Sequence, residues 1–293
     1  ITMIRLFQTT LFLFVTTILS ASIYNDIYDN SWALVIGINK YQNINIPPLG
    51  YAVHDANSIE ELLQENLGFP PENVVLLIDE HATRQNILTE FSNLTQRAQA
   101  NDRVLVFFAG HGETLPLPGG GELGYLLPND GDQENLYLTS IGMDELEKIA
   151  TMSRSKHMLY LIDACYGGLA TVGMRSLDPI NTPNYIKKII EDPARQIITA
   201  GGRGEQVIEK SEWGHSAFTK NIISGLRDWK SDSDEDGFIT ADELGTYLRK
   251  RVTIDSDNQQ TPVIRRFGSD EGEFIFYQIE DKQFIEDDEL DNE

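Results

Sequence analysis

The stretch V-L-V-F-F-A from Val104 to Ala109, running straight into Gly110-His111-Gly112, decides how the rest of the chain reads. Unbroken apolar β-branched and aromatic residues, too few for a helix and stopped by glycine, indicate a strand buried on both faces. A second stretch repeats the pattern: H-M-L-Y-L-I from His157 to Ile162 leads into Asp163-Ala164-Cys165. Working outward, Trp32–Ile38, Val74–Ile78 and Gln196–Ala200 read as further strands, and Glu273–Ile279 as the one that closes the sheet. Helical spacing falls between them, over Ala52–Leu67, Arg84–Ala98, Met143–Met152, Ala217–Trp229 and Asp242–Val252. Strands alternating with helices predict an α/β fold with a largely parallel sheet covered by helices. Leu115–Gly124 reads as a Pro/Gly-rich loop before a short strand at Tyr125–Leu127, and 167–184 as an excursion.

In an open α/β sheet, reactive groups collect beyond the carboxyl ends of the strands. Here those ends carry His111 and Cys165. Either residue alone has a bland reading: a cysteine packs as a small hydrophobe, and a glycine-flanked histidine turns the chain. Together they make a Cys–His pair, with Cys165 as nucleophile and His111 moving the proton. The backbone N–H groups of Gly112 and Cys165 are candidate donors to a developing oxyanion.

Composition narrows the functions further. With 46 acids against 23 bases the formal charge is −23, which argues against a nucleic-acid binder. A single cysteine excludes an internal disulfide and a Cys-rich zinc site. Residues 1–22 read as a signal peptide, with Arg5 before an apolar run and Ser20-Ala21-Ser22 as small residues for cleavage. A secreted or periplasmic location follows, with membrane attachment only if that segment is retained as an anchor. Residues 281–293 read as an acidic, solvated tail.

Asp232–Glu243, D-S-D-E-D-G-F-I-T-A-D-E, fits the twelve-residue EF-hand loop. Asp232, Asp234 and Asp236 take its first three ligand positions, the Phe238 carbonyl and Thr240 follow, and Glu243 supplies the closing carboxylate. Hard Ca2+ prefers such oxygen donors, so calcium is the expected cofactor, held within an EF-hand-type segment at 218–252. The acidic turn Asn129–Asp132 reads as a plain turn before a second ion site.

Strand–A-G-H-G (Ala109–Gly112) and strand–D-A-C-Y-G-G (Asp163–Gly168) resemble the caspase-type cysteine peptidases, closest to the metacaspase and bacterial caspase-like branches. The resemblance extends over residues 30–280 through G-I-N-K-Y (Gly37–Tyr41), L-G-Y-A-V-H-D-A (Leu49–Ala56), I-T-A (Ile198–Ala200), H-S-A-F-T (His215–Thr219) and Q-T-P (Gln260–Pro262). The histidine and cysteine lie 54 residues apart, near the caspase spacing of about 50. The resemblance implies a three-layer sandwich with a six-stranded, mainly parallel sheet between helices. It also departs from true caspases: Asp163 stands where they carry glutamine, as in metacaspases, whose matching aspartate helps bind a basic P1 side chain. A second such acid maps onto Asp55, although an aspartate there also suits a helix N-terminus.

The expected function is therefore a cysteine endopeptidase cleaving after Arg or Lys, stabilised or activated by calcium, with Arg175 as a candidate self-cleavage site. The competing reading is a catalytically silent, calcium-binding scaffold.

Overall fold

The computed structural model describes residues 27–164, 188–202 and 204–278. Six strands form the central sheet: β1 (Ser31–Gly37), β2 (Val74–Ile78), β3 (Arg103–Ala109), β7 (His157–Asp163), β8 (Ala194–Thr199) and β12 (Val263–Arg266). Their order is β12-β8-β7-β3-β1-β2. All neighbours run parallel except β12, which is antiparallel to β8. Among the described residues, five helices cover the sheet: α1 (Ala52–Asn66), α2 (Arg84–Arg97), α3 (Met143–Met152), α4 (Ala217–Arg227) and α5 (Ala241–Asp255).

The period-2 alternation of the central strands sorts their side chains onto two faces. Ala33, Val35, Leu105, Phe107, Leu159 and Leu161 pack under α1, α4 and α5. Trp32, Leu34, Ile36, Val104, Val106, Phe108 and Tyr160 face α2 and α3. β1, β3 and β7 are buried along their whole length, which is why they read as continuous apolar runs rather than alternating ones. This is the expected sandwich.

One element is corrected. Ile275–Tyr277, expected to close the sheet, forms strand β13 and pairs antiparallel with β11 (Phe238–Thr240) in a separate ladder. Its preceding residues reach the sheet through side chains: Gln196 donates to Glu273 and accepts the Phe274 N–H. The true edge is β12, V-I-R-R, whose two arginines suit a half-exposed border and hide it from a search for apolar runs.

Beyond β3 the chain turns into a hairpin of β4 (Gly112–Pro116) and β5 (Glu122–Leu126), with β6 (Ile141–Gly142) beside β5. A second small ladder joins β9 (Glu209–Lys210) to β10 (His215–Ser216), just before α4. Both sit past the carboxyl end of the sheet. At the opposite end, Arg103 is fully buried and donates to Ser31 Oγ and to the carbonyls of Ile275 and Leu67.

Candidate active site

Register sets the site. Ala109 of β3 pairs with Asp163 of β7, and the Gly110 N–H donates to the Asp163 carbonyl at 3.2 Å. His111 follows β3 by two residues and Cys165 follows β7 by two, so the sequence carries both groups off adjacent strand ends at the same offset. Cys165 itself, like Arg175 and residues 1–22, lies outside the described residues.

The His111 backbone N–H donates to Tyr41 Oη at 2.7 Å, and the two rings lie 5.2 Å apart. Burial pushes the Tyr41 phenol up, so it stays neutral and serves as a fixed acceptor. His111 Nε2 lies 2.8 Å from the Pro47 carbonyl oxygen. A carbonyl only accepts, so Nε2 carries the hydrogen and Nδ1 keeps the lone pair of the neutral ring. The His111 carbonyl accepts the Leu127 N–H. That puts Gly112 at a non-hydrogen-bonded position of the hairpin, opposite Leu126, with its own N–H turned away from β5.

Beside His111 opens a cavity of about 140 Å³. Leu49, Ala52 and Val207 supply apolar wall, while Asp55, Asp163 and Glu209 supply carboxylates. Gly37 lets α1 come this close: a Cβ there would lie 2.5 Å from the Ala52 carbonyl oxygen. The first turn of α1 therefore rests on the end of β1 and carries Asp55 over the site, 1% exposed. This is no solvated helix-opening acid. Asp55 Oδ1 pairs with His215 Nδ1 at 2.6 Å, and its Oδ2 accepts the Ser216 N–H at 3.3 Å.

Asp163, 3% exposed, accepts from Ser216 Oγ at 2.5 Å and Thr219 Oγ1 at 2.7 Å, both on Oδ2. Its Oδ1 is buried without a hydrogen-bond partner among the described residues. Burial first, and then the charge of Asp55, push the Asp163 carboxyl up to about 7. Burial raises Asp55 too, opposed by its hydrogen bond to His215. Two buried acids, one with an orphaned oxygen, make a cavity that favours a cation.

The model of the caspase domain of C14 peptidases matches residues 30–269. The chain belongs to this family. It is 26% identical over 272 residues to a probable protease from a Desulfuromonadales bacterium, covering 81% of this chain and 32% of that one. It is 32% identical over 162 residues to Metacaspase-1 of Eremothecium gossypii, covering 50% and 34%. The caspase-domain chain thus spans about a third of the length of these curated relatives. Among solved structures, Caspase-1 from Spodoptera frugiperda matches with a TM-score of 0.53 at 16% identity, covering 83% of this chain and 90% of the other. Protein GSU0716 from Geobacter sulfurreducens matches with a TM-score of 0.57 at 15% identity, covering 82% and 94%. Both share the fold.

Away from the cavity, the caspase domain carries the acidic loop between α4 and α5. Asp232, Asp234 and Asp236 bring one carboxylate oxygen each within 4.8 Å of one another. Asp232 Oδ1 is buried and without a hydrogen-bond partner among the described residues. Gly237, at φ 87°, makes the turn that an L-residue would resist. These features fit a hard cation. Glu243 stands apart from the three: Oε1 accepts from the Ser233 N–H and hydroxyl, and Oε2 from those of Thr240, closing a capping box on α5. Phe238 and Thr240 lie in β11, clamped by β13. The acids of the Asn129–Asp132 turn accept backbone hydrogen bonds, Asp130 from the Arg84 N–H at the start of α2 and Asp132 from the nearby Glu134 N–H.

Ser216, Thr219, His215 and Glu209 are site residues that the sequence does not mark. The first three lie in the quoted H-S-A-F-T, but nothing in that string tells that its hydroxyls face an acid 53 and 56 residues earlier. Glu209 carries no local signal at all. Among the described residues, no helix is long and apolar enough to cross a membrane.

Proposed function

We propose that this chain is a cysteine endopeptidase that cleaves after Arg or Lys, with Cys165 and His111 as its dyad. The observation that carries the reading is the pair of buried carboxylates, Asp55 and Asp163, in the cavity beside His111. A guanidinium or ammonium entering there meets the unpartnered Asp163 Oδ1, whereas an acidic side chain is repelled. Membership of the caspase-domain family supports the peptide-bond chemistry.

In this mechanism the Cys165 thiol gives its proton to His111 Nδ1 as sulfur bonds to the scissile carbonyl carbon. The Nε2–H bond to Pro47 holds the ring in that tautomer. The carbonyl oxygen becomes an oxyanion, stabilised by the N–H groups of Gly112 and Cys165. The carbon–nitrogen bond then breaks, and His111 returns the proton to the leaving amine. Water, deprotonated by the same ring, hydrolyses the thioester and frees the thiol.

We further infer that the Asp232–Glu243 loop binds calcium, with Asp232, Asp234 and Asp236, the Phe238 carbonyl, Thr240 and Glu243 as its donors. Bound calcium supplies charge compensation to three crowded acids, and so stabilises the start of α5. An exported protein, directed by residues 1–22, fits this need, because a hard cation is abundant outside the cell. Hydrolysis of Arg- and Lys-terminated amide reporters, with thiols reduced and calcium present, tests the reading. Activity on these, none on Asp-terminated reporters and none in Cys165→Ala is the expected result. A chain that binds calcium yet hydrolyses no basic reporter is the scaffold instead.

A further inference from the structure

Glu209 lies on β9 directly across from Ser216 on β10, the residue that ties Asp163 to Asp55. This ladder brings a third carboxylate to the same cavity. Glu209 Oε2 accepts the Gly50 N–H at 3.3 Å, close to the start of α1. Burial and the charge of Asp55 nevertheless raise its pKa, and Glu209 in turn raises that of Asp163. Three carboxylates around about 140 Å³ repel one another until a cation enters.

The three acids are not equivalent. Asp55 has both oxygens engaged, one by His215 and one by the Ser216 N–H. Asp163 offers a buried, unpartnered Oδ1. Glu209 is only half-buried, so it borders the more open part of the cavity. An incoming cation therefore finds an acceptor deep in the site and another nearer solvent.

We propose that Glu209 is a substrate-binding residue and that, with Asp163, it makes the site prefer a guanidinium to an ammonium at P1. The inference rests on the peptidase reading above and names the substrate class more narrowly. A guanidinium is a rigid planar fork of five N–H donors, able to bridge two carboxylates set apart. An ammonium is a compact point charge that satisfies one of them well. The bland alternative is that Glu209 only caps the start of α1. Glu209→Gln separates the two, because glutamine keeps an acceptor for the Gly50 N–H and removes the charge.

The test has a binding arm and a turnover arm. Otherwise identical peptides ending in Arg or Lys are titrated by calorimetry into Cys165→Ala protein, with and without Glu209→Gln. The Arg peptide is expected to bind about tenfold tighter than the Lys peptide, and Glu209→Gln to cut that ratio to about twofold. Glu209→Asp, which withdraws the carboxylate by one methylene, is expected to give an intermediate ratio and guards against a Gln variant that unfolds. A ratio unmoved by Gln or Asp, at unchanged melting temperature, overturns the assignment. In turnover, the Arg-to-Lys ratio of kcat/KM should fall in parallel in the Cys165 enzyme carrying Glu209→Gln. Glu209-dependent binding with no turnover of either reporter sinks the peptidase reading and, with it, the P1 role, leaving Glu209 as a guanidinium-binding residue. Turnover with a Glu209-independent ratio does the reverse.

Discussion

Ser216 holds two acids at once: its Oγ donates to Asp163 Oδ2 at 2.5 Å, and its N–H donates to Asp55 Oδ2 at 3.3 Å. The same Oγ accepts the Thr219 N–H and caps α4. One hydroxyl therefore joins the cavity acids to the helix behind them. Ser216→Ala removes a cap worth about 1 kcal/mol and a hydrogen bond to a charged group worth about 1.5–3 kcal/mol. Urea unfolding is expected to show a loss of about 2.5–4 kcal/mol in total. KM for Arg-terminated reporters should rise more than kcat falls, because His111 and Cys165 are untouched. An unchanged KM would disconnect Ser216 from the cavity.

The raised Asp163 carboxyl makes the cavity's charge depend on pH. With its folded pKa at about 7, Asp163 is mostly neutral at pH 6 and mostly charged at pH 8. Affinity for a cationic P1 side chain should therefore climb across that interval, seen as a falling KM. Stability runs the other way. A carboxyl whose pKa is raised by folding stabilises the native state only while protonated there. That contribution is complete below about pH 4 and shrinks as pH climbs to about 7. Asp163→Asn keeps an acceptor for Ser216 and Thr219 and has no charge to lose. It should melt above wild type at pH 8, match it more nearly at pH 4, and show a KM flat with pH. A wild-type KM independent of pH between 6 and 8 would refute the raised carboxyl.

How much of this was legible beforehand follows from where the information sits. The strands around Val104–Ala109 and His157–Ile162 declared themselves because burial on both faces demands apolar residues at every position. His111 and Cys165 are legible because each follows the end of such a strand within three residues. Edge strand β12 was not, since a half-exposed border tolerates Arg265 and Arg266. Nor was Glu209, whose role comes from pairing with Ser216 in a two-residue ladder that no local pattern marks. Asp55 is legible from the resemblance alone, and its pairing with His215 joins residues 160 apart in the chain.

At the far end of the sheet, Arg103 tests stability without touching the cavity. Its guanidinium is fully buried, donates to Ser31, Leu67 and Ile275, and lies 4.5 Å from the Phe69 ring centroid and 4.8 Å from that of Tyr277. Arg103→Ala strands two buried carbonyls and leaves a cavity, a loss of about 3–5 kcal/mol. Arg103→Lys cannot span the same three acceptors with a planar fork and should lose about half as much. The Arg-to-Lys preference of whatever remains folded should stay constant. A shift in that preference would mean that the two ends of the sheet are coupled.

The acidic loop makes its own prediction through thermal stability. Asp232, Asp234 and Asp236 crowd their oxygens within 4.8 Å, a repulsion that a bound cation would relieve. A ligand bound only by the folded state stabilises by about 2.7 kcal/mol at one hundred times its Kd. Calcium should therefore raise the melting temperature in a concentration-dependent way, magnesium much less, and a chelator should reverse it. Asp232→Asn removes a charge at the buried, unpartnered oxygen. It should abolish the calcium shift while raising the melting temperature of the calcium-free protein, since one repelling charge has gone. Glu243→Gln discriminates further. Glutamine can keep the capping box on α5 but loses the acceptor for the Ser233 N–H, so calcium-free stability should fall modestly, while the calcium shift shrinks if Glu243 leaves Ser233 and Thr240 to bind the ion. A wild-type melting temperature indifferent to millimolar calcium would end the calcium reading, and the loop would then be an acidic turn held by β11 and β13.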